Sequence, residues 1–183
     1  MKRLLPALLA LTLSACATTS MSAGNAPADD DIIYCLFTIE GFDDCHSNID
    51  GKAISVSLEI EAATPDESDV LAIVVSIDGT SQKLQLSNDV TIIESDRGYI
   101  KLQDINFDGF RDIAITTSFA VANLYLDYWV YDPVNTRFHY VGNFPDLTPI
   151  SRNETLTSTV KLNAESYSHS TWVWMAGDLV VKE

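Results

Sequence analysis

Basic residues are scarce in this chain. Its 183 residues include 11 Lys and Arg against 26 Asp and Glu, which gives a formal net charge of −15 at pH 7. This deficit argues against binding of nucleic acid and against attachment to an anionic lipid surface by charge. It favours basic protein partners, metal cations or simple solubility.

The sequence also lacks the short motifs that mark common catalytic sites. It contains no G-x-S-x-G, no phosphate-binding loop and no dinucleotide fingerprint. Its three histidines, His46, His139 and His169, are scattered along the chain. Serines surround His169, but Ser-His neighbours of this kind are common by chance. We therefore expect a protein that is not an enzyme.

No segment shows a sustained helical repeat. Apolar residues instead alternate with polar ones, as over residues 54–60, which is typical of a strand with one face in the core. The continuous apolar run 70–77 predicts a strand buried on both faces, and Asp78-Gly79 predicts a hairpin turn after it. About ten such strands predict an all-β, mostly antiparallel fold. We expect a sandwich, with a barrel or small propeller-like arrangement as the alternative.

The first fifteen residues predict a signal peptide. Lys2-Arg3 precedes the apolar run 4–13, which is too short to remain as a membrane-spanning helix. The run ends in Leu13-Ser14-Ala15-Cys16, which resembles the bacterial lipobox, so we expect lipidation of Cys16. The alternative is an ordinary cleavage site near Ala15 with a chance Cys. Ala17 favours the outer membrane, facing the periplasm, in an organism that has one.

Residues 16–31 are small and polar and include Asp29-Asp30-Asp31. They offer too few apolar groups to offset the entropy cost of ordering, so we expect a flexible tether. One β domain is expected over residues 32–183. Removal of residues 1–15 takes away Lys2 and Arg3 and leaves a net charge of −17.

Cysteine is rare, with three in the chain. If Cys16 carries lipid, Cys35 and Cys45 remain as a pair in an oxidising compartment, which favours a disulfide. Its short loop would contribute about 2–3 kcal/mol. Two buried free thiols are the alternative.

One segment carries a strong metal-binding pattern, D-x-N-x-D-G-x-x-D. It spans Asp104-Ile105-Asn106-Phe107-Asp108-Gly109-Phe110-Arg111-Asp112. Ca²⁺ takes roughly six to eight oxygen ligands, and Gly109 permits the turn that gathers them. We expect a structural calcium loop between two strands, with ligands from Asp104, Asn106, Asp108, Asp112 and the carbonyl of Phe110. An acidic turn without metal is the alternative.

Two further motifs follow the acidic segment: Tyr128-Trp129-Val130-Tyr131-Asp132-Pro133 and Trp172-Val173-Trp174-Met175-Ala176-Gly177-Asp178-Leu179-Val180. With these three motifs, residues 98–183 resemble a family of bacterial periplasmic proteins and lipoproteins related to the type I lysozyme inhibitors. That family includes immunity proteins against peptidoglycan hydrolases. The resemblance implies a calcium-stabilised all-β domain that blocks the active cleft of a lytic enzyme. It also implies an inhibitory loop, for which Ser95, Gly98 and Tyr99 are the candidates.

Together these features predict an envelope lipoprotein that inhibits a peptidoglycan hydrolase or lysozyme by protein–protein binding. A lipid anchor would attach it to the membrane, and nucleic acid is not an expected partner. Enzymes that degrade the anionic wall are often basic, and an acidic domain would attract them. The alternative is a calcium-stabilised envelope scaffold or receptor lipoprotein without inhibitory activity.

Overall fold

The computed structural model describes residues 32–119 and 122–182. The expected signal peptide, lipidated Cys16 and tether lie outside the described residues. Those described form fourteen β-strands and one short 3-10 helix, Ser151–Asn153. Within these ranges, no helix has the length and apolar character needed to cross a membrane.

The strands are named here in chain order. They are β1 Ile33–Thr38, β2 Gly41–Phe42, β3 Cys45–Ile49, β4 Lys52–Thr64, β5 Glu67–Ile77, β6 Thr80–Ile93, β7 Gly98–Gln103, β8 Asp112–Thr116, β9 Tyr125–Asp132, β10 Arg137–Pro145, β11 Thr148–Ile150, β12 Thr155–Lys161, β13 Tyr167–Met175 and β14 Asp178–Val181.

The strands form three antiparallel sheets. The central sheet has the order β10-β9-β8-β7-β1-β2. The first outer sheet has the order β3-β4-β5-β6, and the second outer sheet the order β11-β12-β13-β14. The sheets stay open, so the predicted all-β, antiparallel sandwich is confirmed.

Two hydrophobic cores lie on opposite faces of the central sheet. Side chains of neighbouring strand residues point to opposite faces. On β8, Ile113 and Ile115 belong to the first core, whereas Ala114 belongs to the second. The first core is shared with the first outer sheet through residues such as Ile73 on β5. The second core is shared with the second outer sheet through residues such as Leu156 on β12.

The layering decides which strands are buried on both faces. All five residues of β8 are buried. Residues 70–77 form a strand, but the prediction that it is buried on both faces was wrong. β5 lies in an outer sheet, and Leu71 on it is 39% exposed. β9 is also buried on both faces, since its neighbours Tyr128 and Trp129 are exposed by only 0% and 2%. Each ring fills a different core.

Asp78 and Gly79 form the turn between β5 and β6, as predicted. Both have positive φ, 47° and 82°, as the mirror-image turns of tight hairpins require. Residues 80–93 form the single strand β6. Its register with β5 shifts between the pairs Val70↔Val90 and Ala72↔Gln85.

Candidate functional site

The predicted calcium loop connects two neighbouring strands of the central sheet. β7 ends at Gln103 and β8 begins at Asp112, so residues 104–111 form the connection. Two residues in it adopt left-handed backbone conformations, Phe107 with φ 63° and Gly109 with φ 89°. A glycine adopts this conformation at little cost, whereas Phe107 needs neighbouring contacts to hold it there.

Side-chain oxygens of the loop accept hydrogen bonds from the loop itself. Asp104 accepts the backbone N–H groups of Phe107 and Gly109, at 2.6 and 2.8 Å. Asp108 accepts the side-chain amide of Asn106 at 2.8 Å. These bonds bring Asp104, Asn106 and Asp108 into one compact turn. Each carboxylate oxygen that accepts one N–H keeps further acceptor capacity.

Asp112 has a different environment. It is 1% exposed, and its two oxygens accept the backbone N–H groups of Ile105 at 2.9 Å and Tyr131 at 2.8 Å. Burial raises its pKa well above the usual range, and the charges of Asp108 and Asp104 add to this effect. Burial also raises the pKa of Asp104. Asp112 therefore joins the loop to β9 at the buried base of the acidic cluster.

Both outer sheets contact this loop. The indole N–H of Trp174, on β13 of the second outer sheet, donates to the carbonyl of Ile105 at 2.7 Å. Arg111 donates to the hydroxyl of Ser47, on β3 of the first outer sheet, at 3.3 Å. The loop thus links all three layers at one end of the central sheet.

The two phenylalanines of the loop divide between the cores. Phe107 packs against the second core and Phe110 against the first. The ring of Phe110 meets that of Tyr131 edge to face, with centroids 5.8 Å apart. A disturbance of the loop would therefore reach both cores.

The chemistry of the donor set suits a hard cation. Asp104, Asn106, Asp108 and Asp112 offer oxygen atoms, which are the ligands Ca²⁺ prefers. In the described part of the chain, however, no three His, Cys, Asp or Glu side chains form a group arranged to hold a metal ion. The calcium site, including the carbonyl of Phe110, stays a prediction.

The three candidates for the inhibitory loop have three different environments. Ser95 is exposed between β6 and β7, whereas Gly98 is buried. A Cβ atom on Gly98 would overlap the ring of Phe37. Tyr99 lies on β7, and its hydroxyl donates to Asp146 at 3.2 Å. Gly98 thus makes room for a core ring, and the inhibitory role of these residues stays a prediction.

Sequence reasoning missed an ion pair next to Tyr99 in which the lysine is buried. Lys101 is 1% exposed, and its Nζ donates to Asp146 at 2.7 Å and to the carbonyl of Leu147 at 2.8 Å. Burial lowers the pKa of Lys101, and the carboxylate of Asp146 opposes this shift. A lone Lys in an alternating strand resembles a solvent-facing residue. The groups that bind its Nζ, on Asp146 and Leu147, lie between β10 and β11 and follow it by 45 and 46 positions in the sequence.

A second missed residue is Asp127 on β9, which is fully buried. It accepts the backbone N–H and the hydroxyl of Ser87 at 2.6 and 2.7 Å. It also accepts the amide of Asn143 at 2.8 Å. Ser87 lies in the irregular part of β6, so these bonds connect the central sheet to the first outer sheet.

Cys35 and Cys45 form the predicted disulfide. Cys35 lies on β1 of the central sheet and Cys45 on β3 of the first outer sheet. Both are buried in the first core. The bond therefore joins two layers across a core.

The structure places the histidines on three different strands. His46 is exposed on β3. His139, on β10, lies 3.5 Å from a carboxylate oxygen of Asp132. His169, on β13, lies 3.0 Å from the hydroxyl of Thr159. The strands β3, β10 and β13 belong to different sheets.

No family model matches the chain, and neither a curated protein nor a solved structure matches it. The resemblance of residues 98–183 to proteins related to lysozyme inhibitors therefore stays an expectation.

Proposed function

We propose that the chain is an envelope lipoprotein that binds and inhibits a peptidoglycan hydrolase of the lysozyme type. The observation that carries the proposal is the charge of −15 on a chain whose start has the pattern of a lipoprotein signal. A lipid-anchored domain, which would lack residues 1–15 and carry a net charge of −17, would stand beside the cell wall. Basic enzymes that act on the anionic wall would be attracted to it.

Electrostatic attraction would act mainly on the rate of association. Complementary charge steers encounter and loses strength as salt screens it. Such steering needs no catalytic groups on the inhibitor. It needs a folded surface that blocks the enzyme once the two have met.

A rigid scaffold supports the same function. The central sheet packs against a layer on each face, and the disulfide between Cys35 and Cys45 joins two of the layers. A binding surface held by such a scaffold loses little conformational entropy when its partner docks. This property is common to tight protein inhibitors of enzymes.

We propose that the loop 104–111 holds structural calcium. Asp104, Asn106 and Asp108 would bind the ion from the turn, with Asp112 at the base. The ion would offset the repulsion between the three carboxylates. The chain's own contacts, from Trp174 to Ile105 and from Arg111 to Ser47, hold the loop against both outer sheets.

Inhibition is tested with the purified chain lacking residues 1–15. We expect it to lower the turnover of at least one basic peptidoglycan hydrolase in a panel that includes type I lysozymes. The effect should weaken with added salt. Turnover is measured by the clearing of wall suspensions. An unchanged rate across the panel would contradict the proposal and favour an envelope scaffold or receptor.

Calcium is tested by thermal unfolding. At a calcium concentration of 100 times Kd the ion would add about 2.7 kcal/mol, or roughly 5–10 °C in Tm for a domain of this size. We expect Asp104→Ala and Asp108→Ala to lower Tm in calcium and to abolish its dependence on chelator. Glu165→Ala, which removes an exposed charge between β12 and β13, is the control. A native melt indifferent to chelator would refute the site.

A further inference from the structure

One face of the central sheet is covered unevenly. On the side of the second outer sheet, Ala114 of β8 and Tyr128 of β9 are exposed by 1% and 0%. On β1 of the same sheet, Tyr34 and Leu36 are exposed by 52% and 50%. Single exposed apolar residues are ordinary, but a contiguous set on an otherwise buried face indicates contact with something outside the chain.

The exposed residues form a defined surface. Register pairs Leu36 with Tyr99 and Tyr34 with Lys101, so these four side chains share one face. The rings of Tyr34 and Tyr99 meet edge to face, with centroids 5.3 Å apart. We name Tyr34, Leu36 and Tyr99 the tyrosine patch.

A hydrogen bond beneath the patch holds the ring of Tyr99 in position. The carboxylate of Asp146 accepts the hydroxyl of Tyr99 at 3.2 Å and the Nζ of Lys101 at 2.7 Å. Lys101 is itself buried and also bonded to the carbonyl of Leu147. A tyrosine fixed in this way offers large contact area at a low entropy cost, as interface anchors do.

Acidic groups border the patch. The backbone N–H of Asp43 donates to the carbonyl of Leu36 at 2.9 Å, which continues the pairing of β1 with β2 and places Asp43 beside Leu36. Asp43 is exposed. The side chain of Asp146 is 36% exposed on the patch, whereas that of its ion-pair partner Lys101 is 2% exposed. An approaching partner therefore meets the carboxylates of Asp43 and Asp146 beside the aromatic rings, although Lys101 offsets part of the charge of Asp146.

This charge decides between the possible occupants. A second copy of the chain would bring a further −15 and the same acidic border. Residues 17–31 of the chain itself contain Asp29-Asp30-Asp31 and one large apolar residue, Met21. Both occupants would add like charge. A surface carrying Arg or Lys complements carboxylates and can also place its cations on tyrosine rings.

We propose that the tyrosine patch is the docking site for a basic protein surface, which places an Arg or Lys against the two rings and the acidic border. The inference rests on the proposed function, because the partner it names is the basic hydrolase. It moves the binding surface from the loop at Ser95 to the uncovered end of the central sheet. It also gives the ion pair of the buried Lys101 with Asp146 a role in positioning Tyr99.

The test compares matched pairs of variants. Tyr34→Ala and Leu36→Ser alter the patch. Tyr167→Ala and Met175→Ser alter residues on β13 that are exposed to a similar degree, 56% and 61%. Binding to each basic hydrolase of the panel is measured by calorimetry at low and high salt, and turnover is measured separately. Circular dichroism and Tm of each variant establish that it is folded.

We expect the two patch variants to weaken binding by about tenfold or more, and the two controls by less than about twofold. Equal affinities of the patch variants and the wild type would overturn the patch, and so would the absence of binding to every member of the panel.

A hydrolase that binds through the patch yet keeps its turnover would support the patch and refute inhibition. Inhibition that survives both patch variants would support the inhibitory function and refute the patch as its binding site. If the wild type forms a dimer and Tyr34→Ala is a monomer, the patch binds a second copy of the chain and the basic partner is refuted.

Discussion

Replacing Asp112 with Ala is expected to destabilise the folded chain by about 2–5 kcal/mol, with or without calcium. The change leaves the backbone N–H groups of Ile105 and Tyr131 buried without their acceptor. Each unsatisfied buried donor costs about 1–3 kcal/mol. The free energy of unfolding, measured by urea denaturation at fixed calcium and again in chelator, checks the prediction.

Two variants separate this role from metal binding. Asp112→Asn keeps the size of the side chain but replaces one acceptor with a donor, so we expect a loss of about 1–3 kcal/mol. Asp108 is exposed, so Asp108→Ala in chelator should cost less than about 1 kcal/mol. If Asp112→Ala were as mild as Asp108→Ala in chelator, the buried link between the loop and β9 would be refuted.

Loss of the disulfide is the second large effect. The bond closes a loop with a sequence separation of 10, which corresponds to about 3 kcal/mol in the chain-entropy model. Because Cys35 and Cys45 are exposed by only 3% and 1% in the first core, replacing both with Ala also removes buried sulfur atoms. We expect the double variant to lose about 3–5 kcal/mol of unfolding free energy.

Reduction provides the matched comparison. The wild type treated with a reductant keeps both sulfur atoms, so it should lose about 2–3 kcal/mol, less than the double variant loses. The double variant itself should be indifferent to reductant. A wild-type urea midpoint that does not move on reduction would show that the bond contributes nothing to stability.

Alternation and turn residues predicted the strands that lie in long hairpins. β4 and β5 have clear patterns, and Asp78-Gly79 marks the turn after them. The sequence patterns did not predict β1, β2 and β3. β2 has only two residues, and β3 carries the polar residues His46 and Asn48 among its five. β1 pairs with distant β7, β3 pairs with β4 across the turn Asp50-Gly51, and the disulfide joins β1 to β3.

The three-layer arrangement could not be predicted from periodicity. A strand in the central sheet and a strand in an outer sheet can both alternate, since the second layer arrives from elsewhere in the chain. Tyr128 is fully buried because Leu147, Phe144 and Trp172 cover its face. These residues follow it by 16 to 44 positions in the sequence. Local patterns contain no information about such a cover.

The candidate sites also differ in how far they could be predicted from local sequence patterns. The acidic motif 104–112 is local, so its spacing was visible in the sequence. The pair of Lys101 with Asp146 spans 45 positions, and the contact of Tyr34 with Tyr99 spans two strands. Such sites depend on register and on which face is left uncovered. Neither can be derived from residue types alone.

The two outer sheets are attached to the central sheet by different means, and this difference implies unequal durability. The first outer sheet is bound covalently through the disulfide between Cys35 and Cys45, and non-covalently through the hydrogen bonds of Ser87 to Asp127. The second consists of the last four strands of the chain and carries no disulfide among the described residues. Sub-global opening would therefore begin at the C-terminal sheet, which can detach as a unit. The amide hydrogens of β8 would exchange with solvent only when the whole fold is lost.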